Sequence, residues 1–393
     1  MDIHETVRTF TDYYRDYGHE LLGENTLIPP EGDDSVLFTT SGMHHLTPYL
    51  LGRTHPQGRR LTGVQRCLRT TDLEQVGDRS HLTVFEMLGS WSLGDYGSRQ
   101  SLRWGHRLLR EGFGLRPEFL HVTVWGGDDQ VGPDTESRET WQELGVPVES
   151  TREDNWWSNG PTGPCGPDSE IFVWTGQGEP LGTPTTHPGW VEIWNHVMMR
   201  YDRLEDGSLM PLPQRSIDTG MGLERLLTVL QGTDSVYECD ILRPWQETIP
   251  TLWPLDEGEH RVVVDHLRSS MVIIGDGVLP SSNGRGYVLR RLLRRVLTIL
   301  WRDHGVLDDL SLELYEHTLD HFGQLKHPGE VTPEHVQRVM LEEQQRFTKT
   351  LERGRTLLSR RPRDTVLDEE SLRFLHETHG IPRELVDVLT PES

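Results

Sequence analysis

Residues 65–96, QRCLRTTDLEQVGDRSHLTVFEMLGSWSLGDY, read as a strand, a short acidic loop and a returning strand. The returning half, HLTVFEM, is rich in the β-branched and aromatic residues that fit a pleated surface. Arg66 and Arg69 sit on or beside the first strand. A strand arginine can hold a phosphate and a carboxylate together through its planar fork. Phe85, on the returning strand, is an aromatic that can stack on a base. Read alone, the segment is also, and more commonly, a surface arginine pair beside a core phenylalanine.

Working outward, segments 36–40, 61–66, 82–88, 121–125, 170–174 and 190–200 are short, rich in Val, Phe, Trp and Thr, and punctuated by Gly or Pro. They predict strands, several joined by loops and not by helical crossovers. Residues 5–22 carry apolar and aromatic residues at helical spacing, with Gly18 as a stop. Stretch 175–189, TGQGEPLGTPTTHPG, is a loop by composition. After about residue 250 the texture changes, and 260–275, 285–303, 307–325, 332–360, 368–379 and 382–389 predict helices. The expected organisation is a mixed α+β domain over 1–250 followed by an all-helical domain over 251–393.

Composition narrows the function. The 393 residues carry a net charge of −23, so a global basic footprint for nucleic acid is absent and any such contact must be local. Cys67, Cys165 and Cys239 are too few and scattered for a disulfide framework or a zinc site. MDIHETVRTF lacks the apolar core of a signal peptide, and no run is long enough to span a membrane. A cytoplasmic protein is expected. Lys326 and Lys349 are the only lysines, and the chain contains no alanine at all. At roughly one residue in twenty, about twenty alanines would be ordinary.

Four further segments carry chemistry. In SIDTGMGLERLLTVLQ (216–231), a Gly-x-Gly turn at Gly220 and Gly222 opens a helix with Glu224 and Arg225 in its first turn and Asp218 just before it. Helix N-termini favour anions, although helix capping explains the glycines equally well. In DNWWSNGPTGPCGPDSEIFVW (154–174), two tryptophans precede a Gly/Pro-rich loop that could wall a pocket, where core packing is the commoner role. VEIWNHVMMR (191–200) alternates and places Asn195, which needs hydrogen-bond partners if buried, beside Trp194. Residues 277–302 hold six arginines and no acid. Of these, Arg290, Arg291, Arg294 and Arg295 share one helix face, suited to phosphate or to the acids of 306–343.

Together the segments FTTSGMHHLTPYLLG, QRCLR, FEMLGSWSLGDY, TGPCGPDSEI, EIWNHVMMRYDR, SIDTGMGLER and PSSNGRGYVLRRLLRR resemble the N-terminal half of alanyl-tRNA synthetases, over about residues 5–389. The resemblance implies a class II aminoacyl-tRNA synthetase fold, an antiparallel six-stranded sheet with flanking helices followed by a helical domain. It implies ATP and Mg²⁺ as cofactors, no zinc, and L-alanine as the amino acid. Arg69 resembles the arginine bridging the α-phosphate and the amino-acid carboxylate, Phe85 the adenine-stacking aromatic, and Arg225, with Gly222 beside it, the arginine on the γ-phosphate. Asp218 matches the carboxylate for the alanine ammonium; Trp157 and Asn195 match the alanine pocket, which Gly220 keeps open. Glu192 is the candidate Mg²⁺ ligand. Arg285, Arg290, Arg291, Arg294, Arg295 and Asn283 are candidates for nucleic-acid or phosphate contact.

Departures from the family set the expectation for the acceptor. Only Thr70 and Thr71 separate Arg69 from Asp72, where the family has a longer loop reaching toward tRNA. Ser282, with Asn283 one step later, and Glu377 stand where the family reads the acceptor stem. Pro161 and Asp168 replace the family's usual Asp and Cys, and the editing and C-terminal domains would come after residue 393. Without a second sieve a methyl pocket separates Ala from Ser or Gly by only about 10–200-fold. The expected function is alanyl-adenylate formation with transfer to a non-tRNA acceptor, an amine, amide or sulfonamide or a carrier protein. The alternative is a compact alanyl-tRNA synthetase charging tRNA-Ala. A binding protein without catalysis is disfavoured by Arg69, Asp218 and Arg225. Ser41, Leu227, Thr228, Val264, Gly275 and Val296 stand where the family usually has alanine, which suggests a chain suited to synthesis when alanyl-tRNA is scarce.

Overall fold

The computed structural model describes residues 1–23, 25–30, 36–71, 73, 75–302, 305–325, 331–359, 367–379, 381, 386 and 389, with the side chains of 370 and 376–379 excepted. The chain forms two compact units, Met1–Arg69 with Val84–Arg243, and Thr70–Thr83 with Pro244–Ser393. Asp72, Glu74, most of 382–389 and the Glu377 side chain lie outside the described residues.

The first unit is built on a sheet. Its strands are β1 (Glu20–Leu21), β2 (Arg60–Leu68), β3 (Val84–Ser92), β4 (Leu120–Trp125), β5 (Val148–Thr151), β6 (Trp156–Ser158), β7 (Gly163–Trp174), β8 (Trp190–Arg203) and β9 (Leu209–Gly222). The spatial order is β1-β2-β3-β9-β8-β7-β4-β5, with β6 paired to β7. From β2 to β4 every neighbour is antiparallel, which gives the six strands the family pattern implies. Parallel additions, β1 on β2 and β5 on β4, extend both ends. Segment 36–40 forms no strand. Its Thr39 N–H donates to the Leu27 carbonyl (2.9 Å) and its carbonyl accepts from Leu68 (2.8 Å), a bridge one residue deep.

Helices cover one face of this sheet. Helix α1 (Ile3–Asp16) starts at an Asp2 N-cap whose side chain accepts from the Glu5 N–H. It buries Phe10 against Trp194 of β8, ring centroids 5.8 Å apart. A short α2 (Thr47–Leu50) precedes β2 and packs Leu50 on the opposite face, with Leu61, Trp91 and Val197, whereas α3 (Ser98–Arg107) reaches β8 through a hydrogen bond between Ser101 and His196 Nδ1 (2.9 Å). Helices α4 (Thr135–Glu143) and α5 (Leu223–Gln231) complete the layer of helices in this unit. Because Trp194, His196 and the helices share one face, the alternate residues of β8 point to the other.

The second unit carries α6 (Arg243–Leu252), α7 (Glu257–Gly275), α8 (Gly284–Arg302), α9 (Leu312–His321), α10 (Pro333–Ser359) and α11 (Glu369–His379). From Val262 to Gly275 every residue of α7 is buried, polar ones included. One of them, Asp265, is satisfied within the unit by the chain that links β2 to β3, which also meets Arg295 of α8. Asp265 accepts from the Thr83 N–H (2.7 Å) and hydroxyl (2.5 Å), and Arg295 donates to the Leu73 carbonyl (2.7 Å).

Candidate active site

The sheet registers place the site residues in cross-strand rows on the face opposite α1 and α3. Directly paired antiparallel residues point the same way, so each row is a line of side chains. Cys67 pairs with Phe85, with Arg69 two residues beyond Cys67. The next row is Gln65, Met87 and Gly222. The third is Gly63, Gly89, Gly220, Asn195 and Glu170. The fourth is Leu61, Trp91, Asp218, Val197 and Asp168. From Phe85 to Trp91 is six residues, about 20 Å at strand rise, the length of a nucleotide plus a small amino acid.

The glycines that β9 contributes to the second and third rows are not turn residues. Neither Gly220 nor Gly222 has a positive φ; β9 runs straight through both, and α5 begins only at Leu223. Their contribution is the side chain they lack. A Cβ on Gly220 would lie 2.5 Å from Met87 Sδ, and one on Gly89 would overlap the Trp91 indole. The room these glycines leave is taken by the Met87 side chain over Gly220 and the Trp91 indole over Gly89, so the missing side chains let β3 pack flat on the row.

Charged groups flank these rows. Arg69 lies with its guanidinium 5.2 Å from the Phe85 ring centroid and its Nε 3.2 Å from the Thr40 carbonyl. Arg66 points to the other face, where it donates to the Asn25 carbonyl (2.8 Å), so the two arginines are separated by the strand's alternation. Arg225 donates to Glu192 Oε2 (2.9 Å) and to the Glu192 carbonyl (3.2 Å). Glu224 turns inward at 2 % exposure and accepts from the Glu86 N–H at 3.1 and 3.2 Å. Adjacent residues of one helical turn thus divide: Glu224 secures β3, Arg225 faces Glu192.

In the fourth row, Asp218 accepts from the Trp91 indole Nε1 (2.5 Å). Burial pushes its carboxyl up to about 7, against the Trp91 hydrogen bond, which lowers it. Asp168, 1 % exposed, is likewise pushed up to about 7 by burial, opposed by hydrogen bonds from Asn155 and Asn195. Glu170 is raised above the usual carboxylate range by burial and then by the Glu192 charge. Trp157 on β6 packs against a buried cluster that includes Trp91, Val197 and Met43. Arg69, Phe85, Gly220, Gly222, Arg225, Glu192, Asn195, Asp218 and Trp157 therefore all belong to the sheet unit.

The arginines of α8 lie in the other unit and are largely engaged. Buried Glu343 of α10 accepts from Arg294 Nε (2.9 Å) and faces Arg290 Nε (3.3 Å), and the Arg294 guanidinium covers Phe347 at 5.0 Å. Arg295 holds the Leu73 carbonyl, while Arg291 and Asn283 are exposed. Arg285 is half-buried one residue into α8.

Sequence reading named neither Trp91 nor Met87. Their signal is the alternation from Phe85 through Met87 and Gly89 to Trp91, which sets the face of β3. Asp218 becomes their neighbour only once β9 is known to lie beside β3. Among the described residues no group of three His, Cys, Asp or Glu converges as a metal site, and no helix is long and apolar enough to cross a membrane.

A family model described as tRNA synthetases class II (A) matches residues 5–393. The alanine–tRNA ligase of Rubrobacter xylanophilus is 38 % identical over 97 % of this chain and 46 % of its own length. That of Treponema pallidum is 39 % identical over 97 % of this chain and 67 % of its own, and that of Borrelia hermsii 36 % identical over 100 % and 70 %. The chain thus spans from about half to just over two thirds of these relatives. Among solved structures, Staphylococcus aureus histidyl-tRNA synthetase aligns over 58 % of this chain and 66 % of its own, with a TM-score of 0.36 and 11 % identity.

Proposed function

Because this chain belongs to the class II tRNA synthetase family, we propose that it activates L-alanine with ATP as alanyl-adenylate and passes the alanyl group to tRNA-Ala. The observation that carries the reading is the row geometry: Arg69 beside Phe85, and Asn195 and Asp218 in neighbouring rows, lie along one face of the sheet. A zwitterion beside a nucleotide needs a cation for its carboxylate and an anion for its ammonium.

Phe85 stacks the base, Arg69 holds the α-phosphate and the amino-acid carboxylate together, and Arg225 takes the outer phosphates. Asp218 pairs with the ammonium, and Trp157 closes the pocket around the methyl group. The carboxylate oxygen attacks the α-phosphorus in line, a new P–O bond forms, and pyrophosphate leaves. Positioning and charge neutralisation supply most of the rate. Mg²⁺ suits a site of one or two carboxylates completed by phosphate oxygens and water. Glu192, already beside Arg225 and raising Glu170 by its charge, is the carboxylate that would hold it; when bound, the ion neutralises phosphate charge.

Alanine-dependent ATP–pyrophosphate exchange tests activation. Exchange should appear with alanine and fall by at least about 10²-fold in Asp218→Ala or Arg69→Ala, the effect of leaving a charged ligand group unpaired. No exchange with any small amino acid refutes the reading. Transfer is tested by charging of tRNA-Ala transcripts with and without the acceptor-stem G·U pair. A second reading, a non-tRNA acceptor, is favoured by the engagement of Arg290 and Arg294 with Glu343. Robust exchange with no charging of either transcript selects it.

A further inference from the structure

One buried acid on the candidate face has no part in that chemistry. Asp168 is 1 % exposed at the β7 end of the fourth row, and each of its carboxylate oxygens accepts from a different amide. Oδ1 accepts from Asn155 Nδ2 (2.9 Å) and Oδ2 from Asn195 Nδ2 (3.2 Å). The first amide is immobilised. Asn155, fully buried, also donates Nδ2 to the Thr123 hydroxyl (2.9 Å) and accepts at Oδ1 from the Thr151 hydroxyl (2.6 Å). All of its polar positions are satisfied, which fixes the carboxylate that it grips.

The second amide is different. Once ionised, which burial delays until about pH 7, the carboxylate only accepts, so it orients Asn195 with its NH₂ toward β7 and its Oδ1 away from it. Away from β7 lies β9, with Gly220 directly opposite Asn195 and Asp218 one row along. Asn195 Oδ1 is buried and has no hydrogen-bond partner in the protein, whereas its NH₂ is engaged. A buried acceptor of this kind costs free energy unless a ligand donor meets it.

We propose that Asp168 is a positioning residue for amino-acid recognition: by accepting from Asn195 Nδ2 it turns Asn195 Oδ1 toward β9, where Oδ1 and Asp218 together accept from the ligand's ammonium group. The proposal rests on the alanine-activation reading and adds to it the residue that sets the polarity of the pocket. Exchanging Asp168 for Asn reverses that polarity. Asn155 still needs an acceptor, so the new amide gives its oxygen to Asn155 and its NH₂ to Asn195. Asn195 then flips to accept, and its own NH₂ faces the ammonium.

The experiment is pyrophosphate exchange by the full chain, wild type against Asp168→Asn and Asp168→Cys, with KM for alanine, KM for ATP and kcat measured separately. Melting temperatures are read in parallel, and Asp168→Cys, which removes the carboxylate without offering a competing amide, serves if the Asn variant fails to fold. The expected result is a rise of at least tenfold in KM for alanine, with KM for ATP and kcat within twofold. Glycine and serine, which share the ammonium and differ in side chain, should lose by the same factor. An unchanged KM for alanine, or an equal rise in KM for ATP, overturns the role of Asp168 and leaves alanine activation standing. A loss that tracks side-chain size overturns the assignment to the ammonium. A wild-type chain that shows no alanine-dependent exchange removes the parent reading, and this inference with it.

Discussion

At the residue scale, the chemistry of the site depends on carboxyls that burial discourages from ionising. Asp218 is held near 7 by desolvation, far above its unfolded value of 3.8. An ammonium ligand needs it ionised, so KM for alanine should fall as pH rises toward about 7 and then level, measured by exchange with ATP saturating. The same shift bears on stability with a definite sign. Between about 4 and 7 the unfolded chain gives up this proton while the folded chain keeps it, so folding loses stability as pH climbs through that window and none beyond it. Asp218→Asn, whose amide oxygen still accepts from Trp91, should therefore melt higher than wild type at pH 8, with the gap closing by pH 4. A gap independent of pH would show that Asp218 ionises as readily folded as unfolded.

At the element scale, much was legible from local pattern and little from it about neighbours. The periodicities of 61–66, 121–125 and 190–200 name strands that the structure extends by one to three residues, and 82–88 one that it shifts to Val84–Ser92, because local alternation is a property of the segment itself. Gly220 and Gly222 look like a turn in sequence, yet they are strand glycines. What distinguishes the two is Met87 and the strand across from them, more than 130 positions away in the chain. The pairing of Asp168 with Asn195 was hidden for the same reason: the departure at 168 is visible, its partner is not. Helix-to-sheet contact supplies a test. Gly105 of α3 packs so closely that a Cβ there would stand 2.9 Å from His196 Cε1 and 3.3 Å from the Trp194 ring. Gly105→Ala should cost about 1–3 kcal/mol in urea denaturation, the usual cost of overpacking. In the helical unit, Glu343→Gln removes the charge shared by Arg290 and Arg294 and should cost about 1–3 kcal/mol, since those guanidinium groups keep some solvent.

At the scale of the whole molecule, the absence of alanine is written into the packing. Leu227, Val264 and Val296 are fully buried, and a Cβ on Gly275 would meet the Gln324 side-chain amide at 2.5 Å. The interior has been fitted around the replacements, so restoring alanine there would create cavities or clashes. Exposed positions such as Gln57, Glu153 and Glu205 give a cleaner test of synthesis under alanyl-tRNA depletion. A chain with alanine at those sites should accumulate to a lower level than the alanine-free chain under depletion and equally without it; equal yields in both conditions would rule out a translational advantage. The division of the chain has a practical side as well. Thr70–Thr83 leaves the sheet unit between Arg69 and Val84, satisfies Asp265 and Arg295 among the helices, and returns. Proteolytic dissection at residue 243 would then strand a hairpin tip from the helix that caps it, so a working minimal enzyme is better sought by co-expressing two complementary fragments than by trimming one.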